Sequence, residues 1–453
     1  MRQTAYQAEK RARLTKYVFL ETFGCQMNES DSGRMLGFLS ELGYVKTDTP
    51  SKADLILLNT CSIRDKAEHK VYSMLGRFKP IKDENPGLII AVAGCVAQQE
   101  GAALLKRVAY LDLVFGPHNI HKIKEMLLAV EDGKRRVVET SFSAHIDGSE
   151  YLHTSREGSK AFVSIMRGCN NFCSYCIVPY TRGREASRKS SDILSEIRAL
   201  TLAGVKEVTL IGQNVNSYGI GDGSELSFPD LLRAVAEVES IERIRFVTSH
   251  PKDISESLVS LFADEKKICS HVHLPVQSGA DAILASMGRG YTRDEYIDKV
   301  GRLRALCPRV SVTTDIITGF PGETDQDFEA TMDLVRTLRF DNLFSFAYSP
   351  RPGTRASTFE GRVDAEVCSA RLTHLQEVQR EITLEKNSAL IGSILPVMIE
   401  GKSKTDPERS VGRTGCNRLV SIPSSSHQEG DTIDVEITAA SPNALRGLYR
   451  PRR

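Results

Sequence analysis

The sequence lacks any apolar run that approaches the roughly 20 residues needed to cross a bilayer. Its first 16 residues are polar and basic, without the apolar core of a secretion signal. It also lacks a charge excess, because 59 basic and 58 acidic residues leave a net charge of +1. These absences predict a cytoplasmic protein without a membrane anchor, which would meet any charged partner through local patches.

Cysteine, in contrast, is plentiful, with ten in 453 residues. In an intracellular chain this number favours metal or redox chemistry over disulfides. A hydrophobic content of 41% and a charged content of 26% are typical of an ordinary folded protein. The length is too great for one hydrophobic core and predicts about three domains.

Three of the cysteines, Cys169, Cys173 and Cys176, form the pattern C-x-x-x-C-x-x-C after a strand-like apolar run at 162–166. Chance would produce this spacing roughly 0.005 times in such a chain. Three thiolates on one loop suit three irons of a four-iron cluster, since no fourth cysteine is near to close the site. The alternative, three small buried hydrophobes, fits poorly with the polar residues between them.

This loop resembles the signature of the radical S-adenosylmethionine (radical SAM) superfamily. There, three cysteines hold a 4Fe-4S cluster whose fourth iron binds SAM, and one electron cleaves SAM to methionine and a 5′-deoxyadenosyl radical. The resemblance implies this role for Cys169, Cys173 and Cys176. It also implies that Tyr175, just before the third cysteine, packs beside the adenine of SAM.

Residues 17–130 alternate apolar runs with amphipathic stretches, which predicts an α/β domain with a doubly wound parallel sheet. Cys25, Cys61 and Cys95 follow its first three strand candidates. Carboxyl ends of parallel strands share one sheet edge, so we expect these cysteines to converge on a second metal site rather than to fill a core. Gly24 and Gly94 precede two of them and would allow close backbone approach to a cluster.

The central segment contains six strand candidates with helical stretches between them, followed by a long helix at 363–392. Six βα units are too few for a closed eight-stranded barrel and fit a partial (β/α)6 barrel, as the radical SAM resemblance implies. His271 and His273 lie on one of these strands and are interpreted as buried structural histidines. The predicted divisions are a basic arm (1–15), an amino-terminal domain (16–138), a linker (139–160), the radical SAM domain (161–385) and a small barrel (386–453).

The SAM contacts are predicted from polar residues after these strands. After the second strand the sequence reads GQNVN where the superfamily often has Gly-Gly-Glu, so Gln213 or Asn214 would grip the SAM amino group. Gln277 and Ser278 follow the fourth strand and would contact the ribose and carboxylate. Asp315 lies in the segment that resembles the adenine-binding region.

Five short strand candidates between 395 and 450 predict a small β-barrel that resembles the RNA-binding TRAM domain. Its arginines are typical of a surface for the RNA backbone, and an oligomerisation module is the alternative. The loop after the three cysteines is also basic, although a solvated loop is equally compatible with it. The predicted tRNA contacts are Arg182, Arg184, Arg188, Arg413 and Arg418.

The order of these parts resembles the methylthiotransferase family, and FGCQMNESDSGRM, VPYTRGREASR and HLPVQSG resemble its tRNA 2-methylthio-N-6-isopentenyladenosine synthases. The implied reaction places a methylthio group at C2 of isopentenylated adenine, with two 4Fe-4S clusters and two SAM molecules, one the radical source and one the methyl donor. That C–H bond has no useful acidity at neutral pH, so radical chemistry is required.

The implied partners are a tRNA anticodon stem-loop with an unstacked base, an electron donor such as a flavodoxin or ferredoxin, and a sulfur donor. We expect a monomer. Three alternatives stay open: modification of a ribosomal protein aspartate, modification of threonylcarbamoyladenosine in tRNA, and a non-catalytic iron-sulfur scaffold.

Overall fold

A computed structural model describes residues 15–62, 67–133, 136–142, 156–220, 225–424 and 426–451. The predicted basic arm and most of the predicted linker lie outside these residues. The chain divides into two compact units. The first contains the described residues up to 142 together with Ile177–Arg188, and the second contains Arg156–Cys176 and the chain from Lys189 onward. No described helix combines the length and apolarity needed to span a bilayer.

The described strands, in chain order, are β1 (Lys16–Thr22), β2 (Tyr44–Lys46), β3 (Leu55–Thr60), β4 (Ile89–Gly94), β5 (Leu113–Phe115), β6 (Val137–Glu139), β7 (Arg156–Glu157), β8 (Lys160–Ser164), β9 (Met166–Arg167), β10 (Ala186–Ser187), β11 (Glu207–Ile211), β12 (Arg243–Phe246), β13 (His271–His273), β14 (Ser311–Thr318), β15 (Asn342–Ala347), β16 (Ile394–Lys402), β17 (Arg409–Thr414), β18 (Leu419–Pro423), β19 (Thr432–Ala440) and β20 (Leu445–Tyr449).

The described α-helices are α1 (Gln26–Glu41), α2 (Ala67–Glu84), α3 (Cys95–Glu100), α4 (Ala102–Arg107), α5 (Ile123–Glu131), α6 (Val178–Arg182), α7 (Ser190–Leu202), α8 (Phe228–Ala236), α9 (Glu256–Asp264), α10 (Asp281–Met287), α11 (Arg293–Leu306), α12 (Asp325–Leu338) and α13 (Ala365–Ser388).

The first unit is built on a parallel sheet with strand order β2-β1-β3-β4-β5-β6, which confirms the predicted doubly wound domain. Every residue of β3 and β4 is buried, as expected for central strands covered on both faces. Two separate hydrophobic clusters cover the two faces, one around Met35 and Leu39 of α1 and one around Val71 and Leu75 of α2. The carboxyl ends of β1, β3 and β4 therefore share one edge.

The second unit contains six parallel strands, which confirms the predicted partial barrel. β8, β11 and β12 form one sheet, with β7 antiparallel at its edge, and β13, β14 and β15 form another. The Cys269 N–H, just before β13, donates to the Ile244 carbonyl of β12 at 2.9 Å and so links the two sheets. Helices cover the outside, where one continuous core includes Val208, Val272 and Ile316.

The same unit ends in a closed five-stranded barrel of order β16-β17-β18-β20-β19, as predicted. The 24-residue helix α13 precedes it, capped where the Asp364 carboxylate accepts the Glu366 N–H. The barrel is fastened to β12: Arg243 donates to the Arg413 carbonyl at 2.6 Å, and Arg245 donates to the Thr414 carbonyl at 2.8 Å. The predicted boundary at 385/386 falls inside α13.

Candidate cluster sites

The loop of Cys169, Cys173 and Cys176 follows β9 and is shaped by hydrogen bonds to neighbouring segments. The Gly168 N–H donates to the side-chain oxygen of Gln213 at 2.5 Å, and Gly168 has a φ of 77° that favours glycine. The Cys176 N–H donates to the Cys173 carbonyl at 2.9 Å and turns the loop. Other parts of the second unit thus fix the cysteine backbone.

Arg289, which the sequence analysis did not single out, lies buried beside this loop. Its Nη1 is 3.5 Å from the Cys173 Sγ and 3.4 Å from the Tyr175 hydroxyl. Its Nη2 donates to the Pro275 carbonyl at 2.7 Å, and its Nε donates to the Tyr291 hydroxyl at 3.0 Å. The guanidinium therefore joins the cysteine loop to the segment after β13. The available signal was the sequence MGRGYTRDEY at 287–296, which contains this arginine.

Gln213 and Asn214 hold protein segments in place instead of presenting free amides. The Gln213 oxygen accepts the hydrogen bond from Gly168 of the cysteine loop. Asn214 is buried, its Nδ2 donates to Asp253 Oδ2 at 2.7 Å, and its Oδ1 accepts the His250 N–H at 3.1 Å. These bonds give both side chains a positioning role, and their grip on the SAM amino group stays a prediction.

Gln277 and Ser278 are both buried. The Gln277 backbone, at a φ of 77°, donates to the Asp315 carbonyl at 2.9 Å. The Ser278 hydroxyl lies 3.3 Å from the Thr331 hydroxyl and accepts the Ala280 N–H at 3.2 Å. Ser278 therefore organises the start of α10, which disfavours its predicted contact with SAM.

Asp315 remains available to a ligand because its side chain is one-quarter exposed, with one oxygen 3.4 Å from His273 Nε2. His271 is buried and lies 3.1 Å from the Thr313 hydroxyl, which His273 Nδ1 also contacts at 3.0 Å. Burial lowers the pKa of His271 well below its usual value, with nearby arginines adding to the effect. His271 is buried as predicted, whereas His273 is only half-buried.

The first unit brings Cys25, Cys61 and Cys95 together. Cys25 precedes α1, Cys61 follows β3 and Cys95 begins α3, each at the carboxyl end of its strand. The side chains of Cys25 and Cys61 share a hydrogen bond, which is the main reason that the pKa of Cys25 falls to about 6 although burial opposes it. The positive charge of Arg182 contributes to this fall, and Arg182 also hydrogen-bonds the Cys95 side chain.

Two glycines permit this convergence. A Cβ at Gly24, where φ is 114°, would lie 2.3 Å from the Cys61 Cβ. A Cβ at Gly94, where φ is 91°, would lie 2.3 Å from the Thr60 carbonyl oxygen. The close approach that these glycines allow in the structure is therefore between the cysteine-bearing loops themselves.

The side-chain amide of Asn28 links the same loops. Its Nδ2 donates to the carbonyls of Phe23 and Thr60 at 2.8 and 2.9 Å, just before Cys25 and Cys61. Its Oδ1 accepts from Arg182 Nη2 at 2.8 Å. A buried amide with all three bonds made fixes the relative position of three segments.

Arg182 corrects a prediction. Its Nη1 is 2.8 Å from Asp31 Oδ2, and the two side chains are 6% and 4% exposed. Because this guanidinium is buried and paired with Asp31 and Asn28, it is not a free phosphate-binding group. Arg188 is also buried, and only Arg184 of the three predicted arginines in this segment is exposed.

The barrel arginines likewise have intramolecular partners. Arg413 Nε lies 3.1 Å from Glu400. Arg418 donates to Asp341 at 2.7 Å and to Asn387 at 2.9 Å, which ties β18 to the central domain and to α13. Arg418 therefore attaches the barrel to the central domain, whereas Arg413 pairs with Glu400 inside the barrel and remains about one-third exposed. A tRNA contact stays a prediction for both arginines.

The two cysteine sets suit iron-sulfur clusters in their chemistry. No three His, Cys, Asp or Glu side chains in the described ranges surround a single metal-ion position. A four-iron cluster does not require that arrangement, because each thiolate binds a different iron. Soft thiolate ligands with a buried arginine beside each set fit such a cluster.

Comparisons with known proteins agree with this organisation. Family models match in order along the chain: an uncharacterized protein family, UPF0004, at 17–116, the Radical SAM superfamily at 163–335 and the TRAM domain at 389–448. The tRNA-2-methylthio-N(6)-dimethylallyladenosine synthase of Geotalea uraniireducens is 49% identical over 437 residues, covering 95% of this chain and 98% of the relative. The chain belongs to the tRNA-2-methylthio-N(6)-dimethylallyladenosine synthase family.

Further members of this family are similarly close, such as the Geobacter sulfurreducens protein, which is 50% identical over 95% of this chain and 97% of its own length. Among solved structures, the radical S-adenosylmethionine methyltransferase TsrM from Kitasatospora setae gives a TM-score of 0.57 at 14% identity, covering 76% of this chain and 74% of TsrM. At that identity the likeness concerns the fold.

Proposed function

We propose that this protein is a radical SAM methylthiotransferase that converts N-6-isopentenyladenosine in tRNA to its 2-methylthio derivative. The observation that carries the proposal is identity near 50% to named tRNA synthases over nearly the full length of both chains. The TRAM domain supports tRNA as the substrate.

The second unit is the proposed radical site. Cys169, Cys173 and Cys176 would hold a 4Fe-4S cluster, which with SAM would supply the radical chemistry of the reaction. The chain positions these cysteines through the Gly168–Gln213 and Arg289–Cys173 contacts. Because C2 of adenine carries no acidic proton, this unit needs no general base at the target carbon.

The first unit is the proposed sulfur site, on Cys25, Cys61 and Cys95. A second cluster there would leave one iron for exogenous sulfur, which a second SAM methylates. The support is the convergence of three thiols from three strand ends, held by Asn28 and Arg182. A cytoplasmic monomer served by an electron donor, such as a flavodoxin or ferredoxin, and by a sulfur donor completes the proposal.

The test uses anaerobically reconstituted protein with SAM, a strong reductant and tRNA bearing isopentenyladenosine, followed by mass spectrometry of the digested nucleosides. We expect the methylthio nucleoside and 5′-deoxyadenosine in the parent. Cys169→Ala should abolish both products, whereas Cys25→Ala should abolish only the methylthio nucleoside.

Cys307→Ala is the matched control, because Cys307 is half-buried and belongs to neither set. Equal loss of deoxyadenosine in Cys169→Ala and Cys25→Ala would contradict the division between the two sites. Product only with threonylcarbamoyladenosine tRNA or with a ribosomal protein would overturn the assigned substrate. Clusters that never consume SAM would indicate a scaffold.

A further inference from the structure

The last strand of the partial barrel, β15, exposes two aromatic rings on one face. Side chains alternate between the faces of a strand. Leu343 is buried, and the Ser345 hydroxyl accepts a hydrogen bond of 3.0 Å from Gln376 of α13, so this face packs on the helix. Phe344 and Phe346 point to the opposite face and are 51% and 49% exposed.

Polar groups stand beside these rings. In the sheet register Phe344 is opposite Asp315 and Phe346 is opposite Ile317 of β14. The His273 ring meets Phe344 edge to face with centroids 5.9 Å apart, and His273 in turn contacts Asp315. The face therefore offers flat apolar surface next to groups that form hydrogen bonds.

The segment after β15 is basic. Residues 348–362 contain three arginines, Arg351, Arg355 and Arg362, and one acid, Glu360, so the local charge is 3 − 1 = +2. Arg355 and Arg362 are exposed. These exposed arginines follow the exposed aromatic rings along the chain. Arginines and aromatic rings together are the combination that binds single-stranded nucleic acid, since bases stack on the rings and phosphates pair with the cations.

This basic segment is bonded to the cysteine loop. The Ala356 N–H donates to the carbonyl of Ser174 at 2.8 Å, and Ser174 lies between Cys173 and Cys176. Ala356 also packs in a hydrophobic cluster with Phe320, against which Tyr175 lies. A nucleotide held by the basic segment would therefore be held beside the radical site.

We propose that Phe344 and Phe346 are the stacking platform for the unpaired adenine of the tRNA loop, and that Arg355 and Arg362 bind its flanking phosphates. The two rings leave about half of their surface in water, and a stacked base would cover this apolar area. The identity of the RNA rests on the proposed function, whereas the platform rests on the geometry of β15.

The test measures binding of the reconstituted full-length protein to an anticodon stem-loop RNA with 2-aminopurine at the target position. Transfer of that base from its stacked RNA neighbours to the platform raises its fluorescence. We expect Phe344→Ala/Phe346→Ala to abolish the fluorescence increase and to weaken Kd by roughly 5- to 150-fold per stacked base, with an unchanged salt dependence. We expect Arg355→Gln to reduce the slope of log Kd against log salt by about 0.7, as for one lost phosphate contact.

Matched controls lie on α7, where Leu202 is 91% exposed and Arg198 is also exposed. Leu202→Ala and Arg198→Gln remove equivalent side chains far along the chain from β15 and should bind like the parent. Phe344→Tyr/Phe346→Tyr should retain the parent's Kd, because a phenol stacks as a phenyl ring does.

A parent-like fluorescence increase and Kd in Phe344→Ala/Phe346→Ala would overturn the platform while the tRNA substrate stands. Failure of the parent to bind any anticodon stem-loop would instead overturn the proposed function. Loss of binding to a ribosomal protein, with RNA binding unchanged, would assign the same face to a protein partner and refute the stacking role.

Discussion

Arg182→Met should destabilise the first unit more than any exposed substitution in the same segment. The change removes a charge that is 2.8 Å from Asp31 and a donor that is 2.8 Å from Asn28, both buried. Arg34 remains 3.3 Å from Asp31 and compensates only in part. Methionine has a similar length without charge or donors, so the volume of the site changes little.

The magnitude follows from burial. An exposed ion pair contributes about 0–1 kcal/mol, but removing one member of a buried pair costs about 3–5 kcal/mol because the other charge stays buried. At 1.36 kcal/mol for each factor of ten, the opening equilibrium of the first unit should rise roughly 150- to 5,000-fold. The unpaired Asn28 oxygen adds to this cost.

Hydrogen exchange followed by mass spectrometry measures this opening, because the buried strands β3 and β4 exchange only when the unit opens. Arg184→Met is the matched control, since Arg184 is exposed in the same segment. The double variant Asp31→Asn/Arg182→Met should be about 1–3 kcal/mol more stable than the sum of the two single changes predicts, because the unpaired charge is removed. Parent-like protection in Arg182→Met would refute the claim that this pair holds the unit together.

Three further outcomes are expected. Arg245→Met leaves Glu207 without its 3.0 Å partner, so exchange in Arg409–Thr414 should increase and RNA affinity should fall. Burial lowers the pKa of His250 to about 2, whereas the same side chain in the unfolded chain binds a proton below about pH 6.5, so stability falls as the pH drops. Between pH 7 and 5 the free energy of unfolding, measured with urea, should fall by about 2 kcal/mol more in the parent than in His250→Asn. Arg289→Lys should lower the iron and sulfide content after reconstitution, because one ammonium does not replace a fork with four partners.

The sequence was sufficient for the architecture, because strand and helix periodicity acts over short distances. The carboxyl ends of parallel strands share one edge of a sheet, and this rule predicted that Cys25, Cys61 and Cys95 lie at one edge, where the structure brings them together. The order of the three domains could also be predicted, because the motif that identifies each domain is a short local stretch of the sequence.

The roles of individual polar side chains were less accessible, because charge in a sequence does not say whether a group is buried. Arg182 was assigned to tRNA, yet its partner Asp31 lies 151 positions earlier, on α1. Gln213 was assigned to SAM, yet its oxygen holds a backbone 45 residues away. Such pairings depend on tertiary packing, which no local pattern encodes.

A buried arginine lies beside each of the two cysteine sets, and the same physical reason favours arginine at both places. Arg289 reaches Cys173 and Arg182 reaches Cys95, each from an element outside the cysteine's own strand end. A buried cation is costly unless acceptors surround it, and here carbonyl, hydroxyl, amide and carboxylate oxygens do so. A planar guanidinium satisfies several fixed acceptors and still presents charge to a thiolate, which the compact ammonium of lysine does not. Arg289 thus fixes the geometry of the Cys173 loop, and Arg182 both links its neighbours and contributes to the lowered pKa of Cys25.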